Sequence, residues 1–247
     1  MKMLLIFFVL SIASIGFYLN RSYAHIYTTI DTIGLRASVK EKEYAISSNV
    51  SGSSVVYVAI GDSLTSGVGV NEYNNSYPYT LGERIALDGK TVILKNYSYP
   101  GARTQGIVEH VLPSMQEEKV DIITILLGIN DVHGNISLTN FRENYSYILT
   151  ELTSKTDAAI YAVALPFIGD PSLLRFPYQQ YFDWRTRKFN RVIQELSTEA
   201  GVHFIDLYSP TEKLFKQTGS HYSTDFFHPS EEGYRLWSTI LYDRLNY

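Results

Sequence analysis

From Val55 onward the chain alternates short β-branched apolar runs with longer stretches of helical periodicity. That alternation is the signature of an α/β domain built on a mainly parallel sheet. Strands are expected at Val55 to Ile60, Val92 to Asn96, Ile122 to Leu127, Ala159 to Ala164 and Val202 to Ile205. Each is short and apolar almost throughout, as suits strands covered on both faces. Helices are expected between them, at Tyr77 to Leu87, Gly106 to Met115, Leu138 to Ser154, Trp184 to Ala200 and Glu231 to Leu245. The pattern predicts a three-layer α/β/α domain, flavodoxin-like, around a five-stranded sheet. Ligands of such sheets collect at the carboxyl ends of the strands, so the polar residues just after each strand are the ones to read for chemistry.

The amino terminus has a different pattern. Met1 and Lys2 precede an apolar run from Met3 to Leu19, interrupted only by Ser11, Ser14 and Gly16 and closed by Asn20 and Arg21. About 17 apolar residues lie between a signal-peptide core and the roughly 20 that span a bilayer. Ser22-Tyr23-Ala24 supplies small residues where a signal peptidase inspects the chain, which favours cleavage after Ala24 over retention as an anchor. Residues 1–24 are therefore expected to be a signal peptide or membrane anchor, with membrane association through residues 3–19 and a secreted or membrane-anchored extracellular location. Residues 25–54, polar and Ser-rich as far as Ser51-Gly52-Ser53-Ser54, read as a linker, and 55–247 as the folded domain.

Composition narrows the field. Of 247 residues, 45% are hydrophobic and 19% charged, enough apolar material for one sizeable core. A net charge of −4 with no long basic run argues against nucleic acid as a partner. With no cysteine there is no disulfide, no thiolate metal site and no cysteine nucleophile. Beyond residue 24, five Asn-x-Ser sequons begin at Asn49, Asn74, Asn96, Asn135 and Asn144 and matter only where the host glycosylates exported chains.

Four short stretches carry candidate chemistry. Gly61-Asp62-Ser63-Leu64-Thr65-Ser66-Gly67 follows the first strand, where a serine hydroxyl on a tight turn projects over the sheet edge. The same residues also suit a simple cap, and the second glycine of the familiar hydrolase elbow is missing. Pro100-Gly101 follows the second strand, either as a type II turn or as a bare backbone N–H aimed at an oxyanion. Leu127-Gly128-Ile129-Asn130-Asp131 follows the third, where Asn130 is either turn chemistry or an uncharged amide donor. Near the end, Asp225-Phe226-Phe227-His228-Pro229 spaces a carboxylate to meet one nitrogen of an imidazole while the other stays free. Ser230 then reads as the N-cap of the last helix. The histidines at 25, 110, 133, 203 and 221 show no zinc-type spacing with His228, so no metal is expected.

In their order of serine, glycine, asparagine and aspartate-histidine, these stretches resemble the blocks of the SGNH hydrolases, the GDSL-type esterases and lipases, and most closely the bacterial secreted or anchored members. Block one is Ile60 to Gly67, block two Asn96 to Gly101, block three Gly128 to Asp131 and block five Asp225-x-x-His228-Pro229. Asn190 and Phe204-Ile205-Asp206-Leu207-Tyr208 are similar to the family as well, whereas Pro100 stands where a small residue is usual. The resemblance, over about residues 55 to 245, implies a serine esterase or lipase without cofactor. Ser63, His228 and Asp225 would form its triad, and Ser63, Gly101 and Asn130 its oxyanion hole.

The expected partner is a small-molecule, lipid or carbohydrate ester. A carbohydrate O-acetylesterase is the alternative within enzymes, and a non-catalytic surface-binding protein on the same scaffold the alternative of another class. The aromatic stretch Pro166 to Trp184 is either one wall of an acyl pocket or a packed surface excursion.

Overall fold

The computed structural model describes residues 2–47, 53–115, 119–216 and 219–246. Eight helices and six strands follow in chain order: α1 (Lys2–Ile33), β1 (Glu43–Ser47), β2 (Ser54–Gly61), α2 (Tyr77–Ala86) and β3 (Thr91–Ser98). Next come α3 (Thr104–Gly106), which runs on as a π-helix to Val111 and a 3-10 turn to Ser114, then β4 (Ile122–Leu126), α4 (Ile129–His133) and α5 (Leu138–Lys155). The chain ends with β5 (Ala159–Val163), α6 (Tyr178–Ala200), β6 (His203–Ile205), α7 (Tyr208–Phe215) and α8 (Glu231–Tyr242).

The strands form one sheet in the order β1-β3-β2-β4-β5-β6. Every pairing is parallel except β1 with β3 at the edge. Helices flank the sheet in two groups, α2 with α8 and α5 with α6. The middle of the sheet is apolar on both faces, as parallel strands require. All five residues of β4 are buried, and Thr124 within it satisfies its hydroxyl on the Tyr57 hydroxyl at 2.8 Å.

Topology places the site. Because β3 and β4 are the neighbours of β2, the turns that follow the three strands lie side by side. Gly61 at the end of β2 pairs in register with Ser98 of β3 and Leu126 of β4, so the three strands finish level. Gly61 has no room for a side chain, since a Cβ there would meet Thr65 Oγ1 at 2.0 Å and the Leu126 carbonyl at 2.6 Å. The close approach lets the chain fold straight from strand into the Ser63 turn.

Two expectations need correction. The sheet has six strands rather than five, and the sixth comes from the stretch read as a linker. Glu43 to Ser47 alternates Tyr44 and Ile46 inward, so Ile46 is buried and the Tyr44 ring lies 4.7 Å from that of Tyr73. Ahead of it, the Ser38 side chain and the Val39 amide bond to the carbonyls of Gly67 and Ser66. The ordered fold thus takes in residues well before Val55, and the polar composition of 25–47 hides a two-residue alternation too short to stand out. Ser51-Gly52 and the Asn49 sequon lie outside the described residues. Asn96, expected at a strand end, lies two residues short of the end of β3 and is buried there against the Ser63 turn, its amide donating to the Tyr73 hydroxyl and the Thr65 carbonyl. Buried in this way, it offers no accessible glycosylation point.

Candidate active site

The Ser63 turn is a knot of backbone bonds. The Asp62 carbonyl accepts from the amides of Thr65 (3.1 Å) and Ser66 (2.9 Å) and from the Ser66 hydroxyl (2.9 Å), and the Ser63 carbonyl accepts from the Val68 amide (3.0 Å). Asp62 Oδ1 accepts from the Leu64 amide at 3.0 Å, the bond of a capping aspartate. Its Oδ2 is buried with no partner among the described residues. Burial pushes the Asp62 carboxyl up to about 7, opposed by the Leu64 N–H and helped by the charge of Asp131.

The tail loop is closed by backbone bonds from the Ser223 amide to the His228 carbonyl (2.8 Å) and from the Phe226 amide to the Ser223 carbonyl (3.0 Å), and by one side chain. Asp225 Oδ1 accepts from the amides of Phe227 (3.0 Å) and His228 (2.9 Å), and Oδ2 lies 2.5 Å from His228 Nδ1. Burial alone would raise the Asp225 carboxyl, yet the hydrogen bond and charge of His228, with those two amides, hold it below the ordinary carboxylate value. Phe226 takes a left-handed backbone (φ 60°), which folds the loop back so that residues 225 and 228 face each other. Ser230 caps α8 as expected, accepting from the Gly233 amide. Tyr234 on α8 ties back to the Val68 carbonyl at 2.7 Å, linking the tail to the Ser63 turn. Gly69 passes so close to Pro229 that a Cβ would meet its carbonyl at 2.2 Å.

With both loops in place, His228 Nε2 stands 3.0 Å from Ser63 Oγ, and both residues are 7% exposed. Ser63, His228 and Asp225 therefore form one hydrogen-bonded series, joining residues 165 positions apart.

Gly101 and Asn130 sit on the turns to either side, after β3 and β4. Tyr99 to Ala102 closes a turn through a bond from the Ala102 amide to the Tyr99 carbonyl (3.2 Å), with Gly101 at φ 79°. Pro100 followed by a glycine at positive φ is what a type II turn requires. Asn130 lies in α4, a single helical turn where a simple turn was the competing reading. Its side-chain amide donates to the Ala102 carbonyl at 3.0 Å, so the two flanking turns are bonded to each other. Neither forms a hydrogen bond with the Ser63 side chain among the described residues.

Asp131 is a residue the sequence reading passed over. Buried, it accepts from the Thr104 amide (3.1 Å) and hydroxyl (2.6 Å) and so locks the asparagine turn to the glycine turn a second time. His133, also missed, stacks on Phe182 with ring centroids 4.2 Å apart, and burial and the nearby Arg185 push its pKa down to about 3. Of the aromatic stretch, Phe167, Leu173, Leu174 and Phe182 are buried, while Phe176 and Trp184 are exposed. Asn190, on α6, exchanges both hydrogen bonds with the Leu165 backbone and fixes the chain as it leaves β5.

A hydroxyl, an imidazole and a carboxylate thus stand in series at the carboxyl end of a mainly parallel sheet flanked by helices. A family model for GDSL-like lipases and acylhydrolases matches residues 59–236. The chain belongs to that family and is a carboxylic ester hydrolase. A spore germination lipase of Bacillus licheniformis is 28% identical over 207 residues, which cover 75% of this chain and 93% of the relative. A lipase/acylhydrolase from Enterococcus faecalis superposes with a TM-score of 0.61 at 25% identity, over 76% of this chain and 94% of that one. An acetylxylan esterase from Geobacillus stearothermophilus shares the fold, with a TM-score of 0.59 at 18% identity over 82% of this chain and 96% of the other.

Proposed function

We propose that the protein cleaves carboxylic esters through an acyl-enzyme on Ser63, with His228 as base and Asp225 as the group that orients it. The observation that carries this reading is the unbroken series from Asp225 Oδ2 through the His228 ring to Ser63 Oγ. Ser63 Oγ bonds to the ester carbonyl carbon while its proton passes to His228 Nε2. Asp225 accepts from Nδ1–H and steadies the imidazolium. The tetrahedral intermediate collapses, and the alcohol departs with the proton that His228 returns. Water then gives a proton to His228 and adds to the acyl-serine, and the acyl–Oγ bond breaks as His228 returns that proton to Ser63 Oγ, releasing the acid and restoring the free enzyme.

The amides of Ser63 and Gly101 and the Asn130 side chain are the donors proposed for the oxyanion. Two features support this assignment: the three strand ends are level, and the two flanking turns are tied to one another through Ala102 and through Asp131. In the free enzyme one Asn130 N–H is held by the Ala102 carbonyl, which aims the amide and leaves its second N–H to donate. No cofactor takes part in this scheme. The apolar amino-terminal helix supports export, with the domain working outside the membrane.

A series of p-nitrophenyl esters of increasing acyl length, measured on the wild type and Ser63→Ala, tests the reading. Hydrolysis that extends from acetyl to medium chains and disappears in Ser63→Ala is the expected result. Acetyl esters alone would favour the carbohydrate O-acetylesterase, and unchanged turnover in Ser63→Ala would remove the nucleophile.

A further inference from the structure

The two halves of α1 live in different surroundings. Its first half is apolar on every side and exposed throughout: Phe7 is 63%, Leu10 57% and Phe17 69% exposed, within a helix whose most apolar stretch has a mean hydropathy of 2.1. A helix apolar all round belongs in a protein core or in lipid, and none of the described residues covers this half. The second half is packed onto the domain. Ser22 and Ile26 are buried, and Ile30 leans on the core. The Leu19 carbonyl accepts from the Tyr178 hydroxyl at 3.0 Å, and His25 Nε2 bonds the Ser172 carbonyl at 3.1 Å. Tyr27, one turn further on, packs edge-on against Tyr23 with ring centroids 5.1 Å apart and feels the positive charge of Arg103.

Ser172 and Arg103 lie on loops that border the site, and Tyr178 opens α6. Arg103 follows Gly101 by two residues. The Ser172 loop is joined to the catalytic tail by the bond from the Asp170 amide to the Phe226 carbonyl at 3.1 Å. From α1 a file of rings runs inward. Tyr23 is 5.5 Å from Tyr178, Tyr178 6.3 Å from Phe182, Phe182 4.2 Å from His133, His133 5.2 Å from Phe227 and Phe227 5.0 Å from His228. An apolar wall thus connects the helix, at the level where its exposed half begins, with the reacting imidazole.

We infer that α1 is retained as a strap whose exposed half sits in the bilayer and whose docked half turns the Ser63–His228 mouth toward that surface, so that the substrates are acyl esters of the membrane's own lipids. The inference rests on the esterase reading above and adds the source and direction of the substrate. As one helix of 32 residues, α1 is about 48 Å long, enough to enter the hydrocarbon and still carry two further turns along the domain. Tyr18, Tyr23 and Tyr27 then stand near the lipid–water boundary, where tyrosine is favoured. Cleavage after Ala24 would discard the exposed half together with the Leu19, Ser22 and Tyr23 contacts.

The test uses the full chain in phosphatidylglycerol/phosphatidylcholine vesicles that carry a fluorogenic long-chain phospholipid ester, with p-nitrophenyl butyrate in solution as the reference substrate. A flexible Gly-Ser insert of about 15 residues between Asn20 and Arg21 keeps the anchor but frees the domain to turn away. It is expected to lower hydrolysis of the vesicle ester about tenfold or more while the soluble ester is cleaved as before. Ile26→Asp, which sets a carboxylate into the docked contact, should shift the ratio of the two rates the same way. An insert that leaves both rates unchanged or lowers both equally, or a membrane-derived chain whose mass begins at His25, overturns the inference. If the unmodified chain cleaves the soluble ester but not the vesicle ester, the inference also fails while the esterase reading stands. If it cleaves neither, the esterase reading falls and takes the inference with it.

Discussion

The Ser63 turn and the His228 loop meet at the bond between Ser63 Oγ and His228 Nε2, but they are held differently. The serine turn is built from backbone bonds around the Asp62 carbonyl, with Leu64, Thr65 and Ser66 completely buried. The histidine loop has backbone bonds of its own, from the Ser223 amide to the His228 carbonyl (2.8 Å) and from the Phe226 amide to the Ser223 carbonyl (3.0 Å), but adds a carboxylate that binds two backbone amides and the imidazole itself, and Phe226 at its tip is 42% exposed. Both sides thus draw rigidity from backbone bonds, and the histidine side depends in addition on a titratable side chain. Damage to the serine side should stay chemical, whereas damage to Asp225 should reach both catalysis and the loop.

The largest effect expected from breaking this asymmetry is that of Asp225→Asn. An amide in place of the carboxylate favours the wrong imidazole tautomer and should lower kcat by about ten-thousandfold. Because the native carboxyl is held below its ordinary value, Asp225 adds stability above the unfolded-state pKa, and this is lost as pH falls through the native one. In thermal melts across acid pH, the wild type should therefore lose that increment while Asp225→Asn, lacking it, shows a shallower acid decline.

Asn130→Ala probes the flank of the serine turn. Removing one oxyanion donor should reduce kcat by about a hundredfold to a thousandfold with KM little changed, as read from steady-state kinetics on a short ester. A rise in KM at constant kcat would place Asn130 in ground-state binding instead.

Asp62→Asn sharpens the comparison most gently. With its carboxyl raised from 3.8 to about 7, Asp62 binds a proton more tightly in the folded state, so it favours folding at low pH and loses that contribution as pH rises through this window. Asparagine retains the bond to the Leu64 amide and never ionises. The wild type should lose stability relative to Asp62→Asn between pH 4 and 7, the difference levelling above that range. Parallel stability curves would show that the carboxyl is not held protonated.

What the sequence made legible follows from the range of each interaction. Ser63, Gly101 and Asn130 come directly after apolar strands, and Asp225 and His228 are three residues apart, so pattern and spacing expose them. Asp131 with Thr104 is harder to see, because residues 27 apart meet only once β3, β2 and β4 are set side by side. The edge strand β1 was hidden by its brevity. α7 was hidden by Pro210, which the first turn of a helix accommodates. α6 begins at Tyr178 rather than at Trp184, its first turns being drawn from the aromatic stretch, where no single helical spacing stands out. Asp62 as a buried, partnerless carboxyl oxygen had no signal in the sequence, since burial of one atom is decided by everything packed around it.

The most direct measurement is labelling of the wild-type protein with a fluorophosphonate, followed by mass spectrometry of the digested adduct. One phosphonate per chain on the peptide containing Ser63, abolished in Ser63→Ala and slowed in Asp225→Asn, is the predicted result. An adduct on another residue, or a folded and unlabelled protein, would contradict it.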